Sequence, residues 1–302
     1  MTDVAIETFN LTKVYGKKIH ALNELNLKVA RGETFSLLGP NGAGKTTTVR
    51  LLNAIIRPTS GTATVAGYDI LREPEKVKYV TGLLPEAAGV YEKLTAREFL
   101  TFIGRLYDVP KDALKARVDD LLGLFDLSDR GDDLLESYSR GMKQKVLIAS
   151  ALVHDPELIF CDEPTNGLDP TGREEMLNLI KDLSRNGKNI VFSSHILPDV
   201  EEICDKTLIL SNGSLIKFGS LEELLNKQKE VYLIKVDKKT VFRDLQLKEG
   251  FNVKEREDIL AVHGTSNIPQ KIISLAAKYD FQLRLLTKEQ YSLEDFYLDI
   301  MR

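Results

Sequence analysis

The 302-residue chain has no tryptophan, only two cysteines and no apolar run long enough to cross a membrane. Each absence excludes something. Without tryptophan, an indole introduced at one position would report from that position alone. Cys161 and Cys204 stand in apolar or helical surroundings, read as reduced thiols and exclude a disulfide framework. Met1, Thr2 and Asp3 open without a basic segment followed by an apolar one, so no secretory signal is expected. Work at a membrane would therefore require a second chain to supply the spans. The formal net charge is −4 and no basic block is present, which argues against nucleic acid as a partner. Internal repeats and low-complexity tracts are also missing. What remains is an ordinary globular composition, 43% hydrophobic and 28% charged, over a length that suits about two domains.

Against that plain background one stretch stands out: Gly39, Pro40, Asn41, Gly42, Ala43, Gly44, Lys45, Thr46 and Thr47. It fits G-x-x-x-x-G-K-[ST], the loop that wraps nucleotide phosphates. Residues 33–38 before it, with the pair Leu37-Leu38, read as a strand. Residues 45–57 after it carry Val49, Leu52 and Ile56 at helical spacing. A strand, a glycine-rich turn and a helix start aim backbone N–H groups and the positive helix end at one point. That point suits a triphosphate. Lys45 would reach the β- and γ-phosphates, and Thr46 would offer its hydroxyl to Mg²⁺.

Elsewhere the pattern alternates between strands and helices. Residues 4–9, 26–29, 33–38 and 62–66 predict short strands, which suggest a small antiparallel sheet beside the loop. Another strand is expected over 79–84. Helical periodicity over 95–107 and 111–125 marks residues 86–139 as a helical insert. Strands return at 158–161, 189–193 and 207–210, the first of them continuously apolar, as befits a parallel strand buried on both faces. Asn212-Gly213 signals a type I′ hairpin into 215–218. After a short helix at 221–228 a charged seam, residues 227–230, suggests a boundary. Strands at 231–236, 259–262 and 281–286 with helices at 268–279 and 293–301 then predict a small α+β unit without a chemical motif.

Three further segments carry chemistry. Leu158, Ile159, Phe160 and Cys161 lead to Asp162-Glu163-Pro164, two carboxylates at the end of a buried strand, where α/β sheets bind ligands. Asp162 would hold Mg²⁺ through oxygen, and Glu163 would polarise or position an attacking water. A second strand ends at His195, which could bond a γ-phosphate or orient the water. Ser139 is a good helix N-cap in front of Arg140, Gly141, Met142, Lys143 and Gln144, and it opens a helix running to about His154. That is a second anion-seeking helix start with no strand feeding it, as expected of a site used across a dimer interface.

In order, the chain has Tyr15, the loop from Gly39 to Thr46, Pro85-Glu86, the Ser139–Gln144 segment, Asp162-Glu163, Asn166-Gly167-Leu168-Asp169 and His195. The set resembles the ATP-binding subunits of ABC transporters over roughly residues 4–225. The C-terminal unit, ending in Tyr291-Ser292-Leu293-Glu294-Asp295-Phe296-Tyr297-Leu298, is similar to an accessory domain of some prokaryotic exporter-type members. The resemblance implies an α/β fold: a P-loop NTPase with RecA-like core, antiparallel β subdomain and helical insert, plus a small C-terminal α+β domain. Its domains would be an ATP-binding unit, 1–228, with a helical subdomain at about 87–139, and an accessory unit, 229–302. It implies that Tyr15 stacks on adenine and that residues 39–47 bind the phosphates of ATP. It implies that Thr46, Glu86 and Asp162 hold Mg²⁺, that Glu163 is the catalytic carboxylate and that His195 is the switch histidine. Ser139, Arg140, Gly141 and Met142 would face ATP held by a second subunit, with Asp169 communicating across the dimer. The partners implied are that second ATP-binding subunit and a membrane-spanning permease. The chain would sit in the cytoplasm, peripheral on the inner face of the cell membrane.

Three positions depart from the family pattern. Glu86 stands where Gln is usual, and an ionised carboxylate can ligate Mg²⁺ but cannot donate a hydrogen bond. Arg140 replaces a usual Gly and Met142 a usual Gln. Arg140 is expected either to pair with phosphate or to extend into solvent. Two other functions compete with a transport motor. One is an ABC-type ATPase acting on nucleic acid or ribosomes, against which stand the single cassette and the lack of heptads. The other is a different P-loop enzyme, a nucleotide kinase or GTPase, against which stand the Ser139 and His195 motifs.

Overall fold

A computed structural model describes residues 4–16, 18–86, 89–225, 231–237, 252–256, 259–263, 267–279, 281–288 and 292–301. The chain divides into two units, Met1–Leu221 and Glu222–Arg302. The first unit begins with β1 (Val4–Tyr15) and β2 (Ile19–Ala30) and continues through β3 (Thr34–Leu38) and α1 (Lys45–Leu52). β4 (Ser60–Val65), β5 (Tyr68–Asp69), α2 (Pro74–Val80) and β6 (Thr81–Leu84) follow. Next come α3 (Ala96–Leu106), α4 (Lys111–Leu124) and α5 (Arg140–Leu152), with two single 3₁₀ turns between α4 and α5. The unit closes with β7 (Leu158–Asp162), α6 (Pro170–Arg185), β8 (Asn189–Ser194), α7 (Leu197–Ile203), β9 (Lys206–Ser211) and β10 (Ser214–Ser220).

Two sheets form from these strands. The antiparallel sheet has the order β2-β1-β4-β5, and the larger one the order β10-β9-β3-β8-β7-β6. In the larger sheet β3, β6, β7, β8 and β9 run parallel and β10 is antiparallel at the edge. Every residue of β3, β7 and β8 is buried. Central parallel strands covered on both faces read as unbroken apolar runs for this reason. The parallel arrangement also brings the C-terminal ends of β3, β8, β7 and β6 to one rim, so the residues that follow them share one end of the sheet.

Four expectations need correction. Residues 33–38 do not join the antiparallel sheet: β3 lies between β8 and β9, where both of its faces are covered. Residues 79–84 are not one strand. Tyr79 and Val80 finish α2, which starts with Pro74 at its first turn, and the strand begins at Thr81. The helix after the phosphate loop ends at Leu52 rather than Arg57. The last sheet strand expected at 281–286 runs instead over Leu283–Lys288. The Asn212-Gly213 hairpin forms as expected, with φ of +48° and +75°. A type I′ turn requires such values at both central residues.

Between residues 86 and 139 the described chain is helical. α3 begins with a capping box, in which Thr95 Oγ1 accepts from the Glu98 amide at 3.1 Å and the Glu98 carboxylate accepts from the Thr95 amide at 2.9 Å. Gly104 lets α3 and α4 approach, because a Cβ there would run into the Leu114 side chain.

The second unit has its own antiparallel sheet of β11 (Val231–Val236), β12 (Asn252–Arg256), β13 (Ile259–His263) and β14 (Leu283–Lys288), in the order β12-β13-β11-β14. Its helices after the short α8 (Leu221–Leu225) are α9 (Ile268–Tyr279) and α10 (Leu293–Met301). Ile234, Val236, Leu260, Val262, Ile268, Ile272, Leu275 and Phe281 make a separate core. Part of the helix expected at 221–228, residues 226–228, lies outside the described residues.

Candidate functional site

The loop between β3 and α1 owes its path to glycine. Gly42 and Gly44 take φ of +82° and +108°, and a Cβ on Gly44 would strike the Ala21 carbonyl. A side chain on Gly39 would collide with the carbonyl of Leu210 in β9. The loop is thus seated against β2 and β9 by backbone contact. No side chain caps α1 and no acid stands in its first turn. Its first N–H groups therefore lack intrahelical acceptors and face outward as an anion site.

A cleft of about 430 Å³ opens over this loop. It is lined by Pro40, Asn41, Gly42, Ala43, Gly44, Lys45, Thr46 and Thr47, by Ile19, His20 and Ala21 of β2, and by Glu86, Glu163, Asn166 and His195 from the ends of the other strands. Tyr15 ends β1 opposite Ile19, exposed, with the Lys13 ammonium 5.2 Å from its ring centre. Its cross-strand neighbour Ile19 lines the cleft; Tyr15 itself stands outside the lining set. Gly39 is buried beneath the loop.

At the floor of the cleft three polar side chains converge. Lys45 Nζ lies 3.3 Å from Glu163 Oε1 and donates to the Gly39 carbonyl at 2.8 Å. Glu163 Oε2 lies 2.8 Å from His195 Nδ1. Lys45 and Glu163 are each only 6% exposed, while the His195 side chain is about half exposed. Glu163 adopts φ +52°, a left-handed backbone that costs a non-glycine residue of order 1–3 kcal/mol and concentrates at functional sites. β8 holds it there: the Glu163 amide donates to the Ser193 carbonyl at 3.0 Å and stands 3.2 Å from the Ser193 hydroxyl. The same hydroxyl donates to Asp162, a buried carboxylate at the end of β7.

Behind the turn that follows Glu163 lies a second buried carboxylate. Asp199 is fully buried and accepts from Thr165 Oγ1 at 2.7 Å and from Arg173 Nε at 2.6 Å. A carboxylate so enclosed needs such partners to stay charged. Asp199, Arg173 and Ser193 were not singled out in the sequence. Only the pairing of distant segments gives them a role. The polar residues that end the otherwise apolar β8, Ser193 and Ser194, were the available signal.

A second cleft, about 520 Å³, lies at the start of α5. It gathers Ser139, Arg140, Gly141, Met142, Lys145, Gly167, Leu168 and Asp169 with the first turn of α6. Ser139 Oγ caps α5 by accepting from the Met142 amide at 3.3 Å. Asp169 does the same for α6, accepting from the Gly172 amide at 3.3 Å. Arg140 is exposed and is not among the residues that line the cleft over the phosphate loop. Its Nη2 donates to the Asn166 carbonyl at 2.9 Å, with the guanidinium beneath Gly167. So two clefts of one unit gather most of the expected site residues, with Tyr15 beside the first, while Asp162 stays buried at the end of β7 and lines neither.

Both thiols are buried, and burial pushes Cys161 up to about 12, which makes it an inert core residue. Among the described residues no cluster of three or more His, Cys, Asp or Glu could hold a metal ion alone. None of the described helices is long and apolar enough to cross a membrane.

Comparison with known proteins agrees with the geometry. Residues 22–166 match the family described as ABC transporter. An uncharacterized ABC transporter ATP-binding protein of Synechocystis sp. is 37% identical over 98% of this chain and 84% of its own length. The linearmycin resistance ATP-binding protein LnrL of Bacillus subtilis is 31% identical over 98% of this chain and 97% of its own. Among solved structures, a dimeric ATP-binding cassette in a post-hydrolysis state, bound to ADP and Pi, superposes with a TM-score of 0.65. It is 25% identical and covers 72% of this chain and 98% of that one. Since the likeness runs through both units and not through the phosphate loop alone, the chain belongs to the ABC transporter ATP-binding proteins, which bind and hydrolyse ATP.

Proposed function

We propose that this chain is the motor of an exporter: two ATP-binding subunits close on ATP and drive a separate membrane-spanning permease. The observation that supports it most is the Lys45–Glu163–His195 cluster at the rim of the parallel sheet, directly under the phosphate loop. In this reading the loop from Gly39 to Thr47 holds the phosphates, its backbone N–H groups, which Pro40 lacks, donating to them. Lys45 contributes a point charge to the β- and γ-phosphates. Glu163 positions the attacking water, and His195 orients the carboxylate and the γ-phosphate. Tyr15 stacks on the base from beside the cleft. The hydroxyl of Thr46 and the carboxylates of Glu86 and Asp162 are hard oxygen donors of the kind Mg²⁺ selects, and they would hold it. When bound, Mg²⁺ would neutralise charge on the transferring phosphoryl group.

Ser139, Gly141 and Met142 would meet the γ-phosphate of ATP held by a second subunit, and Asp169 would face the dimer partner. Contacts that exist only in the closed, ATP-bound dimer shift the population toward closure, and hydrolysis reverses it. The permease would dock on the helical segment 87–139. There Tyr91 and Leu106 are 60% and 64% exposed, and Tyr91 packs edge-on to the exposed Phe102 at 5.8 Å. Exposed apolar patches of this kind mark interaction surfaces. The chain would then sit on the inner face of the cell membrane through that partner. Export is favoured because LnrL is named for resistance to linearmycin.

Glu163→Gln tests the reading. It is expected to bind ATP, to lower turnover by about 10²- to 10⁴-fold and to accumulate as a dimer by light scattering. Near-normal turnover would remove Glu163 from its role. Purification from detergent-solubilised cells should bring down a polytopic membrane protein in stoichiometric amount; ribosomes or nucleic acid in its place would overturn the transport reading.

A further inference from the structure

Arg140 sits where its charge is least welcome. It is the first residue of α5, whose first turn contains no acid. A cation at the positive end of a helix dipole is unfavourable. Lys143 and Lys145 nearby are matched by Glu92 and Glu175. Arg140 instead spends its guanidinium on a neutral carbonyl, that of Asn166 at 2.9 Å. Local choices that run against propensity flag function.

The carbonyl belongs to the turn that carries Glu163. The Asn166 amide donates to the Glu163 carbonyl at 3.1 Å, and Asn166 itself lines the phosphate cleft. From the same helix Gln144 Nε2 donates to the Pro164 carbonyl at 3.1 Å. Gly167, with φ +70°, completes the arrangement: a Cβ there would overlap the guanidinium. Two side chains of α5 thus grip residues 164–166, immediately after a residue whose own backbone is held at φ +52°.

We infer that Arg140 is a positioning residue for ATP hydrolysis in its own chain, bracing the 163–167 turn so that the strained Glu163 keeps its carboxylate against Lys45 of the phosphate loop. The inference rests on the reading of Glu163 proposed above. It differs from a phosphate contact, because a strut acts on turnover and not on nucleotide affinity. It also differs from a mere helix-start residue, because it ties the second cleft to the first.

The test is steady-state ATPase activity and ATP binding of the full-length chain for Arg140→Ala, Arg140→Lys and Glu163→Gln. A displaced catalytic group costs on the order of ten- to a hundredfold in rate. Arg140→Ala is therefore expected to lower kcat about tenfold or more with KM and ATP affinity unchanged. Lysine, with one compact donor group, should recover part of the loss. Unchanged kcat in Arg140→Ala beside an inactive Glu163→Gln would overturn the inference and leave the function standing. A raised KM with kcat retained would overturn it too. Normal turnover of Glu163→Gln would instead sink the underlying reading and this inference with it.

Discussion

His154 shows how one side chain converts burial into a pH dependence. Its ring stacks on Tyr107 at 3.7 Å and an interplanar angle of 3°, and its Nε2 donates to the Thr81 carbonyl at 3.0 Å. Nδ1 is buried without a partner. Burial holds the imidazole below its ordinary value, although the Thr81 carbonyl pulls the other way. The native state therefore stays neutral at a pH where the unfolded chain, titrating near about 6.5, takes up a proton. Stability from this group is present above that value and is lost as pH falls through it toward the lower native value. His154→Phe keeps the stack and removes the titration. The drop in Tm between pH 7.5 and 5.5 is expected to be smaller in His154→Phe than in the parent; equal drops would take the role away from His154. At this scale the sequence was most legible where spacing is local, as in Gly39 to Thr46 or Asp162-Glu163. It was mute on Asp199 and Arg173, whose pairing depends on α6 and α7 coming together.

At the scale of elements, the boundaries follow caps and backbone conformations more than hydrophobic pattern. The Thr95–Glu98 box sets the start of α3. Thr95→Ala should cost about 1 kcal/mol, visible as a fall of roughly 2–4 °C in the Tm of the first unit; no change would show that packing alone fixes this helix. The phosphate loop is stricter. Gly44→Ala meets both a positive φ and the Ala21 carbonyl, so ATP binding is expected to fall well below that of the parent at equal protein concentration, and retained binding would contradict the tight seat of the loop. The elements most legible in the sequence were β7, unbroken in its apolar run, and the hairpin at Asn212-Gly213. α2 was misread because Tyr79 and Val80 lead into Thr81 without a glycine or proline to mark the junction. Only the Pro74 at its start announced a helix. β12 was missed for the opposite reason: Asn252–Arg256 is mostly polar and shows little of the alternation that a half-buried strand requires.

For the whole molecule, the strand order carries what motif spacing cannot. β8 comes late in the chain yet inserts between β3 and β7, and this places Ser193 and His195 beside residues far away in sequence. No local pattern states that order. The two units have separate cores, which predicts that a chain ending at Gln228 folds without the rest. It should show a cooperative melt and bind ATP with an affinity near that of the full chain; an aggregated or unfolded product would mean the first unit needs the second for its stability. Comparing the ATPase rates of the two chains then tells whether the second unit regulates or only accompanies the first.

The ion pair between Lys45 and Glu163 has a further consequence for how the site meets its substrate. The ammonium that awaits phosphate is already satisfied by an anion of the same chain. In the proposed reading ATP would have to displace that tethered rival, so its affinity is expected to be lower than the loop alone would give. In that reading the exchange would also work as a safety catch: with Lys45 held by Glu163 the carboxylate is engaged, and it would be released toward water only when phosphate draws Lys45 away. Glu163→Gln should then do two opposite things at once: tighten ATP binding by removing the rival, and stop the turnover that the rival performs once released.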